Sequence, residues 1–318
     1  MGHGDRYRVL PFSDKNYPIG SEGILPRPYS NLKGRVLMTK IYGHRGAKGI
    51  YPENTLLSLK KAIEQGVDGL EIDVHLTKDG EVVVIHDETL ERTTTGSGWI
   101  KDLTLAEIKQ YSAGKRFAHF EKYEKEWDNE QVPTLEEVLE LISPYQVELN
   151  IELKTYSVPY EGIEEKVLKI VDQHAKELKV NYSSFHLPTI LRIKKLDSSA
   201  NIALLLNDGV SLPHDYLEEL DLEAFHLNKT ILLPKVELFQ QLLEFDKHLP
   251  IEVITYLNNR INEDYVDCLH GLYDKVRVWT VNEPHEIEKI LKLQVNAIIT
   301  DYPDLAIRIK EEQLKVKA

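Results

Sequence analysis

The chain has 318 residues, 42% of them hydrophobic and 29% charged, which allows a large buried core and excludes disorder of the whole chain. Acidic residues outnumber basic ones 52 to 39, for a formal charge of -13, so no broad nucleic-acid-binding face is expected, because phosphate contacts need a basic footprint. Cys268 is the one cysteine, so no intrachain disulfide can form, and no apolar run approaches the roughly 18 residues of a membrane span. With a polar start that lacks a secretory apolar stretch, the composition leans towards a cytoplasmic protein.

Residues 1–37 read as an irregular extension: Pro11, Pro18, Pro26 and Pro28 alternate with Gly20, Gly23 and Gly34, and no period persists. This extension is either a native arm or vector-derived, with Met38 a candidate start; mass spectrometry of the chain from its native host would separate these. From residue 38 to 318 short apolar runs alternate with helical ones, the rhythm of a parallel α/β fold. Strands are expected near Ile41–His44, Gly69–Val74, Leu149–Lys154, Tyr182–Phe185, Ile202–Leu206, Ala224–Leu227, Val276–Val281 and Ala297–Thr300. Helices are expected over Thr55–Gln65, Leu135–Leu141, Ile163–Leu178 and Pro284–Leu293. Eight strands fit a TIM (β/α)8 barrel. The run Glu81–His86 follows the second strand too closely for a parallel crossover, so Gly69–Asp87 is expected to form an extra hairpin that returns His86 near Asp73.

Several positions along this frame carry chemistry. Gly43-His44-Arg45-Gly46 ends the first strand, where barrel enzymes build their sites; His44 can exchange protons and Arg45 can fork onto phosphate oxygens. Pro52-Glu53-Asn54-Thr55 reads first as a turn and helix cap. Glu71 and Asp73 stand two apart on a strand and so face one side. Buried together they would repel, and a cation would resolve the repulsion; on a solvated edge they would need none. Glu152 and Lys154 repeat the spacing, either as an internal ion pair or as a third carboxylate for a metal and an ammonium for an anion. Three carboxylates without a cysteine favour Mg2+ or Ca2+ over a thiolate zinc site. Trp279 and Phe185 either wall a pocket or belong to the core. Thr95-Gly96-Ser97-Gly98 reads as a polar turn, and no zincin, phosphate-loop or nucleophile-elbow motif is present.

Taken together, residues 43–59 (GHRGAKGIYPENTLLSL), 69–98 (GLEIDVHLTKDGEVVVIHDETLERTTTGSG), 132–139 (VPTLEEVL), 150–154 (NIELK), 278–282 (VWTVN) and 299–304 (ITDYPD) make the sequence resemble the glycerophosphodiester phosphodiesterase family, in the family's order. The resemblance implies a TIM barrel that hydrolyses glycerophosphodiesters to glycerol 3-phosphate and an alcohol. It implies that Glu71, Asp73 and Glu152 bind one divalent cation, Mg2+ or Ca2+. It further implies that His44 and His86 are the acid/base pair and that Arg45 and Lys154 contact the phosphate. Glu53 and Trp279 are lesser candidates.

Departures from the family pattern are the extension at 1–37 and a longer stretch from about 233 to 273. Rival readings are a lysophospholipid-directed phosphodiesterase or lyase on the same barrel, and a glycoside hydrolase. The second would leave Arg45, Lys154 and both histidines without a task.

Overall fold

The computed structural model describes residues 38–175, 177–233, 269 and 271–317. The expected extension at 1–37, and most of the long stretch between 233 and 273, lie outside the described residues. Strands β1 (Lys40–His44), β2 (Gly69–Leu76), β4 (Glu148–Leu153), β5 (Val180–Ser184), β6 (Asn201–Leu206), β7 (Ala224–Asn228), β8 (Val276–Trp279) and β9 (Ala297–Thr300) pair in parallel. Pairing of β1 with both β9 and β2 closes them into an eight-stranded barrel. All eight expected strands are present, most displaced by one or two residues at an end.

The ninth strand, β3 (Val82–Val84), runs antiparallel to the last three residues of β2. Val74 pairs with Leu153 on one side and Val84 on the other, so β3 takes up the edge of β2 beyond the end of β1. The turn is held by Thr77, whose hydroxyl donates to Asp79 and accepts from the Glu81 amide, and Gly80 supplies the positive φ of 84° that the reversal needs. The expected hairpin therefore forms, with Ile85 opposite Asp73 (its amide donates to the Asp73 carbonyl) and His86 one residue beyond.

Strand pairing fixes which side chains look inward. Along the rungs, His44, Glu71 and Asn150 lie side by side, and Asp73, Glu152 and Ser183 form the next row. Alternate residues Leu70, Ile72 and Val74 point outward into the main core, all fully buried.

Outside the barrel, α1 (Leu56–Glu64) buries Leu59 and Ala62 and is capped by the Thr55 hydroxyl. Helix α2 (Leu105–Ile108) and α3 (Leu135–Ile142) each begin with a capping box, Thr104 with Glu107 and Thr134 with Glu137. Helix α4 (Ile163–His174) stops before the expected Leu178, which lets the chain turn into β5 at Val180. Then follow α5 (Leu187–Leu196), α6 (Pro213–Glu219), α7 (Pro284–Leu293) and α8 (Pro303–Lys317). Between β3 and α3, residues 85–133 form a small layer of their own, with Val83, Ile85, Leu90, Ile100, Ile108, Ala113 and Val132 as its core. Among the described residues, no helix is long and apolar enough to cross a membrane.

Candidate active site

At the C-terminal mouth of the barrel the inward rows bring Glu71, Asp73 and Glu152 together. One carboxylate oxygen from each lies within 4.8 Å of the other two, and all three residues are buried. Burial, and then the Asp73 charge, push the Glu71 carboxyl well above its ordinary range, and burial raises Glu152 as well. Burial would also raise Asp73, but Arg45 and then Lys154 hold it far below the usual carboxylate range. Lys154 Nζ donates to Glu152 Oε1 at 2.8 Å and sits 3.6 Å from Asp73 Oδ1, while Arg45 Nε is 3.1 Å from Asp73 Oδ2. Even so, Asp73 Oδ1 is buried with no hydrogen-bond donor among the described residues. Three converging carboxylates with one unclaimed oxygen fit a divalent, oxygen-seeking cation. They cluster about one point rather than flanking a scissile bond, which disfavours the glycosidase geometry.

Arg45 occupies a strained turn. It has φ of 53°, and Gly46 follows with φ of 86°, where a Cβ would lie 2.4 Å from the Ser58 hydroxyl oxygen. The Arg45 amide donates to the Glu71 carbonyl at 2.9 Å and to Glu71 Oε2 at 3.2 Å, which fixes the turn to β2. Its guanidinium then reaches both Asp73 and Glu53 Oε1, the latter at 2.7 Å. Glu53 is shared: Arg92, from the 85–133 layer, forks onto both its oxygens at 2.8 and 2.9 Å. Burial opposes ionisation of Glu53, but Arg92 and Arg45 bring it to about 2. Arg92 also grips Asp87 through Nε and Nη2, and Asp87 Oδ1 accepts from His86 Nδ1 at 2.6 Å. A continuous chain of ion pairs thus runs Arg45–Glu53–Arg92–Asp87, and a hydrogen bond carries it on to His86. Asn54, with φ of 56°, donates to Asp73 Oδ2 at 2.9 Å.

The two histidines are held alike. His44 Nδ1 donates to Asp301 Oδ1 at 2.6 Å, and Asp301 is steadied by Asn282, whose amide donates to Oδ2 and whose carbonyl accepts from the Asp301 amide. Nε2 of His44 lies 3.9 Å from Glu71, and burial, then the Arg45 charge, lower the ring to about 4. In His86 the Nδ1 proton likewise goes to an aspartate, and Lys154 Nζ donates to Nε2 at 3.1 Å. His75, on the Asp73 side of β2, is fully buried: its Nε2–H donates to the His86 carbonyl at 2.9 Å, and Nδ1 accepts from the Tyr160 hydroxyl.

A cavity of about 460 Å³ opens over these groups, lined on its apolar side by Phe185, Leu205, Trp279 and Ile299. Phe185 and Trp279 meet edge to face with centroids 5.6 Å apart, and the Trp279–Thr280 peptide is cis. A second cavity of about 770 Å³ shares Glu152, Lys154 and Phe185 with the first and continues past Glu88, Tyr156, Ser157 and Asn207.

Of the residues singled out from sequence, His44, Arg45, Glu71, His86, Glu152, Lys154 and Trp279 line the inner cavity. Asp73 lies beneath it with Glu71 and Glu152. Glu53 stands behind, gripping Arg45, so it is more than the turn residue its local sequence suggests. Thr95-Gly96-Ser97-Gly98 lines neither of these cavities, as a polar turn should not. Sequence reasoning missed Asp87, Arg92, Asp301, Asn282, Asn54 and His75. Asp87 carried a signal in its adjacency to His86, and Asp301 in its place after a barrel strand.

Comparison with known proteins agrees with the geometry. A model of the glycerophosphoryl diester phosphodiesterase family matches residues 44–305. The chain is 37% identical over 276 residues to a glycerophosphodiester phosphodiesterase of Bacillus altitudinis, covering 86% of this chain and 99% of the relative. A glycerophosphodiester phosphodiesterase of Caldanaerobacter subterraneus is 36% identical over 274 residues, covering 86% and 98%. Among solved structures, a phosphodiesterase of Oleispira antarctica in complex with the product sn-glycerol-3-phosphate superposes with a TM-score of 0.67 at 30% identity, over 86% of this chain and 97% of that one.

Proposed function

Since the chain belongs to the glycerophosphoryl diester phosphodiesterase family, whose members are hydrolases, we propose that it cleaves glycerophosphodiesters to sn-glycerol 3-phosphate and an alcohol with a divalent cation held by Glu71, Asp73 and Glu152. The observation that carries this reading is the convergence of three buried carboxylates with one unclaimed oxygen at the floor of the mouth, ringed by two cations and two histidines. A divalent cation there supplies Lewis-acid stabilisation of phosphate charge and makes a hydroxyl group more acidic. Oxygen donors alone suit Mg2+ or Ca2+.

The chain's own residues do the rest. Arg45 and Lys154 offset negative charge on the phosphate oxygens as it builds, and their carboxylate partners keep them aimed without searching. Each histidine is pinned at Nδ1 by an aspartate, which orients its ring, and both residues line the inner cavity. One of the pair, entering with Nε2 unprotonated, takes the nucleophile's proton, and the other, entering with a proton on Nε2, gives it to the departing alcohol oxygen. The nucleophile is water, or the glycerol 2-hydroxyl by way of a cyclic phosphate. The phosphate sits at the junction of the two cavities, with glycerol in the inner one and the alcohol in the outer. Phe185 and Trp279 wall off the inner side and exclude water from it.

The test is release of glycerol 3-phosphate from glycerophosphocholine and glycerophosphoethanolamine, with EDTA and then with added Mg2+ or Ca2+. Release that stops with EDTA and returns with a cation is expected. No release with either cation would reject the reading, whereas choline release from lysophosphatidylcholine alone would move it to the lipid-directed rival. A ³¹P NMR time course distinguishes the water route from the cyclic one. An acidic chain with one cysteine fits the cytoplasm, and recovery from another fraction of the native cell would count against that placement.

A further inference from the structure

Arg92 lines neither cavity, yet it holds two parts of the machinery that do. One edge of its planar guanidinium, Nη1 and Nη2, forks onto Glu53 Oε2 and Oε1 at 2.8 and 2.9 Å. The adjacent edge, Nε and Nη2, forks onto Asp87 Oδ2 and Oδ1 at 2.6 and 2.9 Å. Such paired bonds fix angle as well as distance. The Glu53 side chain is 3% exposed and that of Arg92 46%, so the guanidinium reaches a buried carboxylate from a layer open to solvent. The chain at Arg92 is itself fastened. Leu90 is fully buried and its amide donates to the Gly98 carbonyl, while the Thr94 amide and hydroxyl both donate to the Leu90 carbonyl. Arg116 Nε donates to the Thr94 carbonyl at 2.8 Å, which ties this turn to the rest of the 85–133 layer.

Each carboxylate has a second task. Glu53 Oε1 also accepts from Arg45 Nη1 at 2.7 Å, and Asp87 Oδ1 from His86 Nδ1 at 2.6 Å. Without Arg92, Glu53 and Asp73 together would offset the Arg45 charge that the phosphate needs. Asp87 would likewise face His86 with its full negative charge. Arg92 takes up that excess at both places. Burial opposes ionisation of both acids, and the Arg92 hydrogen bonds help to keep both charged.

We infer that Arg92 is a positioning residue for the reaction: by gripping Glu53 and Asp87 at once it sets the aim of Arg45 and the orientation of His86 together, so that the phosphate contact and the proton-transfer group work as one unit. The inference rests on the function proposed above. Lysine in its place keeps the charge and loses the forks, because an ammonium is a single point from which the donors diverge. That difference separates the geometric role from a merely electrostatic one.

One test reads the histidine rather than the rate. In proton NMR of the full chain, the Nδ1–H resonances of His86 and His44 are assigned by their loss in His86→Ala and His44→Ala. Arg92→Lys should shift the His86 resonance or quicken its exchange with water, and leave that of His44, held by Asp301, in place. The second test is a mutant cycle on kcat/KM for glycerophosphoethanolamine at saturating Mg2+ or Ca2+. Arg92→Lys should cost about 10- to 100-fold with cation affinity unchanged. Because Arg92 acts through the two carboxylates, Glu53→Gln and Asp87→Asn should each cost severalfold less in an Arg92→Gln background than in the wild type. If Arg92→Gln does not fold, Arg92→Lys serves as the background for the same comparison. Either a wild-type rate or an unmoved His86 resonance in folded Arg92→Lys would overturn the inference, and so would losses that simply multiply throughout the cycle. Lower stability with kcat/KM of the folded enzyme intact would reduce Arg92 to a structural tie and overturn it too. A wild type that hydrolyses no glycerophosphodiester would reject the function instead, and the His86 resonance would still show whether Arg92 orients the ring.

Discussion

Asp301 and Asp87 each hold the Nδ1 proton of a histidine, at 2.6 Å in both cases. If the histidines move protons, His44→Ala and His86→Ala should each lower kcat about 10²- to 10⁴-fold. Asp301→Asn and Asp87→Asn should cost less, about 10- to 100-fold, with metal content unchanged, because they loosen the ring without removing it. Steady-state rates with parallel metal analysis check this, and near-normal rates for either alanine variant would remove that histidine from the mechanism. The histidines were legible because each sits beside a feature with local meaning: the end of a strand, or a hairpin. Asp301 lies 257 positions from His44, and nothing in the sequence near either residue announces the pair. Glu53 shows the converse, for its local context explains a turn, and only Arg45 and Arg92 closing on it from two directions explain its burial.

At the scale of elements, Glu53 is the clasp between the β1–α1 turn and the 85–133 layer. Its carboxyl falls from the ordinary 4.5 to about 2 on folding, the net effect of burial opposed by Arg92 and Arg45. A depressed carboxyl binds fewer protons folded than unfolded, so its contribution is complete above about pH 4.5 and fades as pH falls towards 2. The shift corresponds to about 3 kcal/mol. Glu53→Gln should therefore lower stability at neutral pH by an amount of this order and flatten the acid limb of the stability curve, read from denaturant midpoints between pH 7 and 2.5. An unchanged acid limb would contradict the clasp. The 85–133 layer has its own small core, so Ile108→Ala should cost about 2–5 kcal/mol locally. Amide exchange should then quicken in that layer before the barrel, and activity should fall as Arg92 loses its footing. The hairpin beneath it was legible because a turn of a few residues admits only antiparallel pairing. The layer was not, because residues 85–133 hold only short helices and one isolated bridge, Thr89 with Trp99, with no period long enough to read.

At the scale of the molecule, a cation held by the carboxylate cluster would couple its binding to folding. A cation that binds the folded state alone should stabilise it by about 2.7 kcal/mol at a hundred times its dissociation constant. Thermal unfolding should shift upward with Mg2+ or Ca2+, and Asp73→Asn or Glu152→Gln should abolish the shift; a shift that survives in both variants would place the cation elsewhere. Alternation of short apolar runs with helical ones determined the barrel by itself, because parallel strands need crossovers and eight such units close. The spacing of Glu71 with Asp73, and of Glu152 with Lys154, determined that each pair shares one face. Tertiary structure alone decided that those faces meet, by setting Asp73 level with Glu152 and Glu71 level with His44 and Asn150. It also decided that Asp301 meets His44 and that Arg92 meets Glu53. Local sequence dictates period and direction, whereas barrel closure dictates register, and a register between strands far apart in the chain leaves no mark on the residues beside it.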